Sequence, residues 1–266
     1  MNRKLSYYYT FPRSSAYLAS PGQLLRVVRK RHPEITLRHV KAYLSQQPAY
    51  QLHKKCRRTK KFKERVSKCV PIGFQTDHQM DLADMSKLAA ANSNAHFILV
   101  CVDTLSRLAD ATPLKTKSAE HMLAALKRIY ERHRILSLPW RIYHDNGKEF
   151  KNKTVATYLR KNFIQQLHST SDAKASIGAL AKSTLWVLCA FHCSFAAERF
   201  IRDLKAKLYA HFTHTNSNNY TKVLPHIISA MNRTPSRKHG LQPVQINKSN
   251  EVKCLVNESI NMSALV

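Results

Sequence analysis

Glycine, paired cysteine and acidic side chains are all scarce in this sequence of 266 residues. Its five glycines and ten prolines exclude a low-complexity or collagen-like polymer. The six cysteines form no Cys-x-x-Cys pair and no metal-type spacing with histidine, which argues against a disulfide scaffold or a zinc site. We expect incidental thiols in a reducing compartment.

Long apolar runs are also missing. The longest, 183–197, is shorter than the roughly 20 residues that a membrane helix needs. Residues 1–25 contain basic side chains and no continuous apolar stretch, so no signal peptide is predicted. The sequence therefore predicts an intracellular protein without a membrane partner.

Positive charge dominates what is present. Lys and Arg number 44 against 16 Asp and Glu, a formal net charge of +28. Positive charges at this density repel one another unless an acidic partner neutralises them. The usual partner is a polyphosphate such as a nucleic acid, because binding releases the counterions condensed on its phosphates. An anionic membrane or a ribosome-type assembly would also fit. With so few acids, each carboxylate is more informative than in an average protein.

Residues 1–52 predict a small helical region. Apolar side chains recur at helical spacing over 23–30, Pro33 interrupts the pattern, and Thr36 begins a second helix through Gln46. The second helix is predicted to place four side chains on one side: Leu37, Val40, Tyr43 and Leu44. Two short helices joined in this way resemble a helix-turn-helix unit, for which DNA contact and simple packing both remain open.

The segment 53–70 is a basic linker or arm with almost no apolar period. A charge run of this kind contacts phosphate or serves as a nuclear localisation signal, so a nuclear location is expected. Nucleic-acid contact is predicted for six of its side chains: Lys54, Lys55, Arg57, Arg58, Lys60 and Lys61.

From residue 74 onwards the pattern changes to strands and helices. Alternating or continuous apolar runs predict strands at 74–84, 96–103, 108–114, 140–144 and 164–167. Helical spacing predicts helices at 118–133, 154–162, 197–212 and 220–232. Three strands in series, then alternating strands and helices, indicate an α/β fold with a mixed five-stranded sheet flanked by helices.

Three acids stand out by position: Asp81, Asp145 and Glu198. Asp81 lies in an alternating strand, and Glu198 begins a helix. Asp145 follows the strand WRIYH, where a strand end can hold a metal-binding carboxylate at the sheet edge. Asn146 and Gly147 are expected to form the tight turn there, because glycine tolerates a positive φ.

Glu198 shares its predicted helix face with Arg202 and Lys205, at i+4 and i+7. A carboxylate that can bind a metal ion would therefore lie beside two cations that can contact a DNA backbone. Carboxylates brought together repel each other, and Mg²⁺, which prefers oxygen ligands, relieves that repulsion. Two such ions can activate an attacking hydroxyl and stabilise the leaving oxygen of a phosphodiester. On residue type alone, these acids also fit ordinary solvated or helix-start positions.

Several stretches of the chain together resemble the retroviral-type integrase core, especially the integrase-like proteins of eukaryotic transposons and retroelements. The matching stretches are QMDLADM at 79–85, FILVCVDTLSRLADATPLKTKSAEH at 97–121, HDNGKEF at 144–150, AERFIRDLKAKL at 197–208 and PSRKHGLQPVQIN at 235–247. The resemblance implies a ribonuclease-H-like fold in which Asp81, Asp145 and Glu198 hold Mg²⁺ or Mn²⁺. Asp77 is the alternative first ligand.

The resemblance also implies a division of the chain and a set of partners. The catalytic core would span 71–247, after the helical region and the basic linker, with a tail at 248–266. DNA is the implied partner, with Lys148, Arg202 and Lys205 as contacts, and the chain is expected to form a homo-oligomer.

The chain departs from the family in the spacing between Asp145 and Glu198, which is longer than usual. The excess maps onto 178–195, GALAKSTLWVLCAFHCSF, which we interpret as a short intron translated in frame or as a genuine insertion. Ile201 stands where many relatives have Asn, and the zinc-binding His-His-Cys-Cys module of many integrases is missing.

Three hypotheses follow from these observations. The chain is an active integrase or transposase, a catalytically inactive element-derived protein that binds nucleic acid, or a basic structural or RNA-associated protein without a carboxylate site. Strand-transfer activity separates the first two, and metal-dependent stabilisation separates the first from the third.

Overall fold

The computed structural model describes residues 2–53, 71–133, 135–145, 147, 149–168, 195–236 and 239–256. By their contacts these residues fall into two units. A helical unit holds the described part of 1–61 together with 202–234, and a sheet unit holds the described part of 62–201 together with 235–266. No helix among the described residues is long and apolar enough to cross a membrane. The predicted domain boundaries after residues 52, 70 and 247 stay predictions.

One mixed sheet organises the sheet unit. Its strands are β1 (Asp77–Asp84), β2 (Phe97–Asp103), β3 (Ala109–Leu114), β4 (Arg141–His144) and β5 (Gln165–His168), in the order β3-β2-β1-β4-β5. β2 is antiparallel to both β1 and β3, whereas β4 is parallel to both β1 and β5. The predicted five-stranded mixed sheet flanked by helices is confirmed, and this arrangement is consistent with a ribonuclease-H-like fold.

The described part of the chain also contains eight α-helices and several shorter helical segments. The eight are α1 (Asn2–Thr10), α2 (Pro21–Val28), α3 (Leu37–Ser45), α4 (Pro48–His53), α5 (Ala119–Lys127), α6 (Lys153–Lys161), α7 (Phe195–Thr215) and α8 (Leu224–Asn232). Short helical turns lie at Ser86–Asn92, Arg128–His133 and Pro243–Gln245, and residues 251–256 are also helical.

The core of the sheet unit forms where α5 and α6 pack on the sheet. Ser118 accepts a hydrogen bond from the first turn of α5, and Asn152 does the same for α6, so both helices begin at a side chain that satisfies an otherwise unpaired backbone N–H. Their buried side chains recur at helical spacing and meet those of the strands. The shared cluster includes Met122, Leu126, Val155, Leu159, Met80, Leu99 and Ile142.

The helical unit has an apolar core of its own, which includes Leu5 of α1, Leu24 and Val28 of α2, and Val40 and Leu44 of α3. The predicted start at Thr36 is confirmed, since its hydroxyl accepts from His39 N at 3.4 Å. Leu37 shares the side of Val40 and Leu44 by its helical spacing, but it is 39% exposed, whereas Val40, Tyr43 and Leu44 are buried.

A buried polar group lies within the core of the sheet unit. His78 Nδ1 is 3.0 Å from the Tyr130 hydroxyl, their rings stack, and the Cys101 thiol contacts both side chains. Burial lowers the pKa of His78 from 6.5 to about 3, against the opposing charge of Asp77. His78 is therefore neutral in the folded protein at physiological pH.

The depressed pKa of His78 predicts acid sensitivity. Between pH 6.5 and 3 the unfolded chain binds a proton that the folded chain does not, so the free energy of unfolding falls as pH falls, by about 1.4 kcal/mol per pH unit for one proton. His78→Phe keeps the stacking and removes this proton, so we expect a shallower slope in urea unfolding below pH 6.5. The exposed His214→Phe control should keep the wild-type slope, and equal slopes for all three proteins would contradict the prediction.

Candidate active site

The pairing of β1 with β4 aligns the strand that carries Asp81 with the strand that precedes Asp145. Asp77 pairs with Arg141 and Gln79 with Tyr143, so each paired β1 residue lies beside the residue 64 positions later in the chain. The pairing ends at Gln79 and Tyr143, and the same register continued by two residues would lead to Asp81 and Asp145. Because β1 and β4 run parallel, both acids follow the paired segment in the same direction along the sheet.

Both carboxylates are held by local backbone groups and remain open to solvent. Asp81 Oδ1 accepts from Leu82 N at 2.7 Å, and the residue is half-buried. Asp145 Oδ1 accepts from Gly147 N at 3.2 Å, and Asp145 is exposed. Fixed but accessible oxygens of this kind suit a divalent cation.

Gly147 lies close to two acidic side chains. A Cβ on Gly147 would lie 2.8 Å from the Glu149 carboxylate and 3.0 Å from Asp145 Oδ1, so a larger residue would push the flexible Glu149 side chain aside. The expectation that Gly147 supplies a positive φ is wrong, since among the described glycines only Gly240 has one. The Asp145 carboxylate accepts the backbone N–H of Gly147.

Glu149 and Lys117 belong to this region, although the sequence patterns gave them no role. Lys117 Nζ is 3.0 Å from Glu149 Oε1 and 5.1 Å from the centroid of the Phe97 ring. Burial raises the pKa of Glu149, but its backbone hydrogen bond and Lys117 outweigh that effect, so the net pKa is lowered. Glu149 is the second acid of the motif HDNGKEF, and that position was the signal in the sequence that could have revealed its role. Its partner Lys117 is 32 residues away in the chain, so only the folded structure shows the pair.

The start of α7 is attached to β1 by Gln79, two residues before Asp81. Gln79 is buried, and its Oε1 accepts from Ala196 N at 3.0 Å and from Ala197 N at 3.1 Å. The first N–H groups of a helix have no partner within the helix, and Gln79 supplies one for two of them. Glu198 follows directly and is exposed. Sequence reasoning missed Gln79, whose amide has no recognisable motif.

The three acids do not form a closed cluster. Among the described residues, which include Asp81, Asp145 and Glu198, no three His, Cys, Asp or Glu side chains lie close enough to hold a metal ion. The donor set nevertheless fits Mg²⁺ or Mn²⁺ by chemistry, since all three candidates offer carboxylate oxygens. The structure thus places Asp81 within β1 and Asp145 directly after the neighbouring strand β4, and it attaches the helix of Glu198 to β1 through Gln79.

Asp77, the alternative first ligand, has a structural role. Its carboxylate is fully buried, and Arg141 Nε donates to it at 2.6 Å. The hydroxyls of Thr76 and Tyr143 and the backbone N of Ile72 donate at 2.8, 3.3 and 3.1 Å. With four donors around it in the core, this carboxylate serves the fold and is not positioned to bind a metal.

The predicted nucleic-acid contacts are only partly visible. Arg202 is exposed, with Nε 3.8 Å from Asp203 Oδ1, and Lys205 is half-buried; both lie on α7 within the helical unit. Lys148 and the six basic side chains of 53–70 lie outside the described residues, as does the proposed insertion apart from its last residue. Ile201, where many relatives have Asn, is buried.

No model of a known protein family matches the chain. Over 164 residues it is 29% identical to an uncharacterised transposon-derived protein of Caenorhabditis elegans. The match covers 62% of this chain and 50% of that protein, so the chain spans about half the length of the curated relative it matches. The similarity supports a transposon-related origin and a transposon-related function.

Two acids of β1 should differ strongly in their response to neutralisation. Asp77→Asn leaves the buried Arg141 without its counter-ion and should lower the free energy of unfolding by about 3–5 kcal/mol. Asp81→Asn removes a charge at a half-buried position of the strand and should change the free energy of unfolding by less than about 0.5 kcal/mol. Urea unfolding measures both, and equal losses would refute the distinction between a structural and a functional acid.

The attachment of α7 by Gln79 can be tested by amide exchange. Gln79→Met removes the acceptor for Ala196 and Ala197, so their exchange should be roughly tenfold faster, as expected for about 1–2 kcal/mol of lost capping. Gln79→Glu keeps an acceptor beside a helix N-terminus and should exchange slowly. Exchange in the Met variant as slow as in wild type would show that Gln79 does not hold the helix.

Proposed function

We propose that the chain catalyses metal-dependent phosphodiester strand transfer on DNA, as part of a transposon-type integrase. The observation that supports the proposal is the β1–β4 register, which, continued two residues beyond its last pair, would bring Asp81 next to Asp145 in a ribonuclease-H-like sheet. The similarity to a transposon-derived protein supports it. We assign metal binding to Asp81, Asp145 and Glu198.

The residues divide the work of such a reaction. Bound Mg²⁺ or Mn²⁺ would supply an activated hydroxyl and a stabilised leaving oxygen. Asp81 and Asp145 are fixed by their strands, and Gln79 holds the start of the helix that carries Glu198. The ion pair between Lys117 and Glu149 offsets the charge of Glu149, so this acid adds no net negative charge to that of the proposed metal ligands.

We propose DNA as the substrate and the nucleus as the location, because the chain carries +28 formal charges and a basic segment at 53–70. Lys148, Arg202 and Lys205 and the basic segment would neutralise phosphates, and binding should weaken steeply with salt. A homo-oligomer would bring two DNA ends together. Fluorescence microscopy of the tagged chain in cells tests the location, and exclusion of the chain from nuclei would show that the proposed nuclear location is wrong.

A second function competes with the first. The open arrangement of the three acids favours a catalytically inactive protein that retains nucleic-acid binding. The proposed insertion directly before α7 would have the same consequence, since it lies next to the helix that carries Glu198. Transcript reads that cross 178–195 without a gap would show that the segment belongs to the protein.

The catalytic proposal predicts strand joining that requires Mg²⁺ or Mn²⁺ and is lost in Asp145→Asn. Loss of a direct metal ligand should lower the rate at least about a hundredfold, since weaker outer-shell changes already cost about 10–100-fold. A gel assay with a labelled DNA duplex and a plasmid target measures joining. Asp84→Asn, which neutralises an exposed acid of the same strand, is the matched control and should retain activity.

The outcomes separate the hypotheses. Salt-sensitive DNA binding without joining by the wild-type chain would establish the inactive alternative. Thermal unfolding with Mn²⁺ adds a second readout, because only a carboxylate site gives a stabilisation that Asp145→Asn abolishes. Equal melting of wild type and variant with Mn²⁺, together with no joining, would favour a basic structural protein.

A further inference from the structure

Helix α3 presents a polar, basic face to solvent. Its residues Leu37, Arg38, Lys41, Ala42 and Ser45 are all exposed and together line one shallow depression along the helix. Counted from Leu37, the other four residues follow after one, four, five and eight positions, a spacing that places all five on one side of the helix. The set combines two cations, one apolar side chain and two small ones.

The opposite face of α3 holds the helix firmly in the helical unit. Val40, Tyr43 and Leu44 are buried against α2, and the ring of Tyr9 packs edge-on against Tyr43. The reciprocal hydrogen bonds between Thr36 and His39 fix the first turn. The outward face is therefore presented by a rigid element, which recognition of a specific partner requires.

The charge around α3 selects an anionic partner. Glu34 is the only acid in residues 2–53, and Lys4 Nζ lies 3.2 Å from its carboxylate. The cations of the same stretch have no other carboxylate within it to pair with: Arg3, Arg13, Arg26, Arg29, Lys30, Arg31, Arg38 and Lys41. A surface of this composition binds polyphosphate, since each neutralised phosphate releases counterions.

We propose that the outward face of α3 enters the major groove of duplex DNA and reads base edges there. The major groove of B-form DNA is about 12 Å wide and admits an α-helix, whereas the major groove of duplex RNA is too narrow. Arg38 and Lys41 reach guanine acceptors, and the exposed Leu37 contacts a thymine methyl group. Ala42 and Ser45 let the helix backbone approach closely. The choice of DNA rests on the proposed function.

The preceding segment suits contact with the DNA backbone. Helix α2 packs against α3, and Arg26, Arg29 and Lys30 are exposed at its end. In helix-turn-helix proteins the first helix crosses the backbone while the second reads bases. The connection between α2 and α3, residues 29–36, is longer than the three or four residues that join the two helices of that motif. The comparison therefore applies to how the two helices would dock on DNA, and it does not apply to the geometry of the turn.

The test uses the full-length chain in EDTA, so that catalysis plays no part. A pool of DNA duplexes with a randomised centre is selected on the wild-type protein, and fluorescence anisotropy compares the enriched duplex with a scrambled one. Arg38→Ala/Lys41→Ala should lower this discrimination at least about tenfold, because each base-edge contact contributes about 1–3 kcal/mol. Ala42→Glu, which adds a negative charge at the centre of the face, should do the same.

The control Arg3→Ala/Arg13→Ala removes the same charge from exposed positions outside α3, and it should weaken binding to both duplexes without changing their ratio. Equal loss of discrimination in both double variants would overturn the inference. So would a selection that enriches no sequence, or equal affinity for an RNA duplex of the enriched sequence. Asp145→Asn should bind as wild type, so failed catalysis and failed recognition are distinguishable.

Discussion

The buried ion pair between Asp77 and Arg141 fixes the strand register on which the candidate active site depends. These two residues are register partners in the parallel pairing of β1 and β4, and their side chains meet at 2.6 Å in the core. A slip of one residue would separate the charges and turn every side chain of the strand to the other face of the sheet. The alignment of β1, which carries Asp81, with β4, which precedes Asp145, depends on that buried contact.

Scarce acids serve different tasks in this very basic chain. Asp77 stabilises the fold, Glu34 neutralises a lysine, and Glu149 is balanced by Lys117. Asp81 and Asp145 are instead accessible to solvent, and each accepts a hydrogen bond from a nearby backbone N–H. Burial and pairing therefore separate structural carboxylates from those available to a divalent cation, which the count of acids alone does not do.

Local patterns predicted most elements of the fold, because hydrophobic period and capping residues act over a few positions. The strand FILVCVD, the start of α3 at Thr36 and the acid after β4 all follow from such patterns. Leu37 follows the helical period, but its exposure was not predictable, because neighbouring helices decide how much of that face is covered. Gly147 was explained by φ, whereas the structure shows no positive φ there and places two acidic side chains close to it.

The amino-acid sequence by itself determined the order of strands and helices, the charge surplus and the three acids singled out by motif. Only the tertiary structure decided that Gln79 holds the start of α7, that Lys117 neutralises Glu149 and that Asp77 belongs to the core. Each of these contacts joins residues far apart in the chain. Pairing of that kind depends on how strands align and helices pack, and short-range patterns carry no information about it.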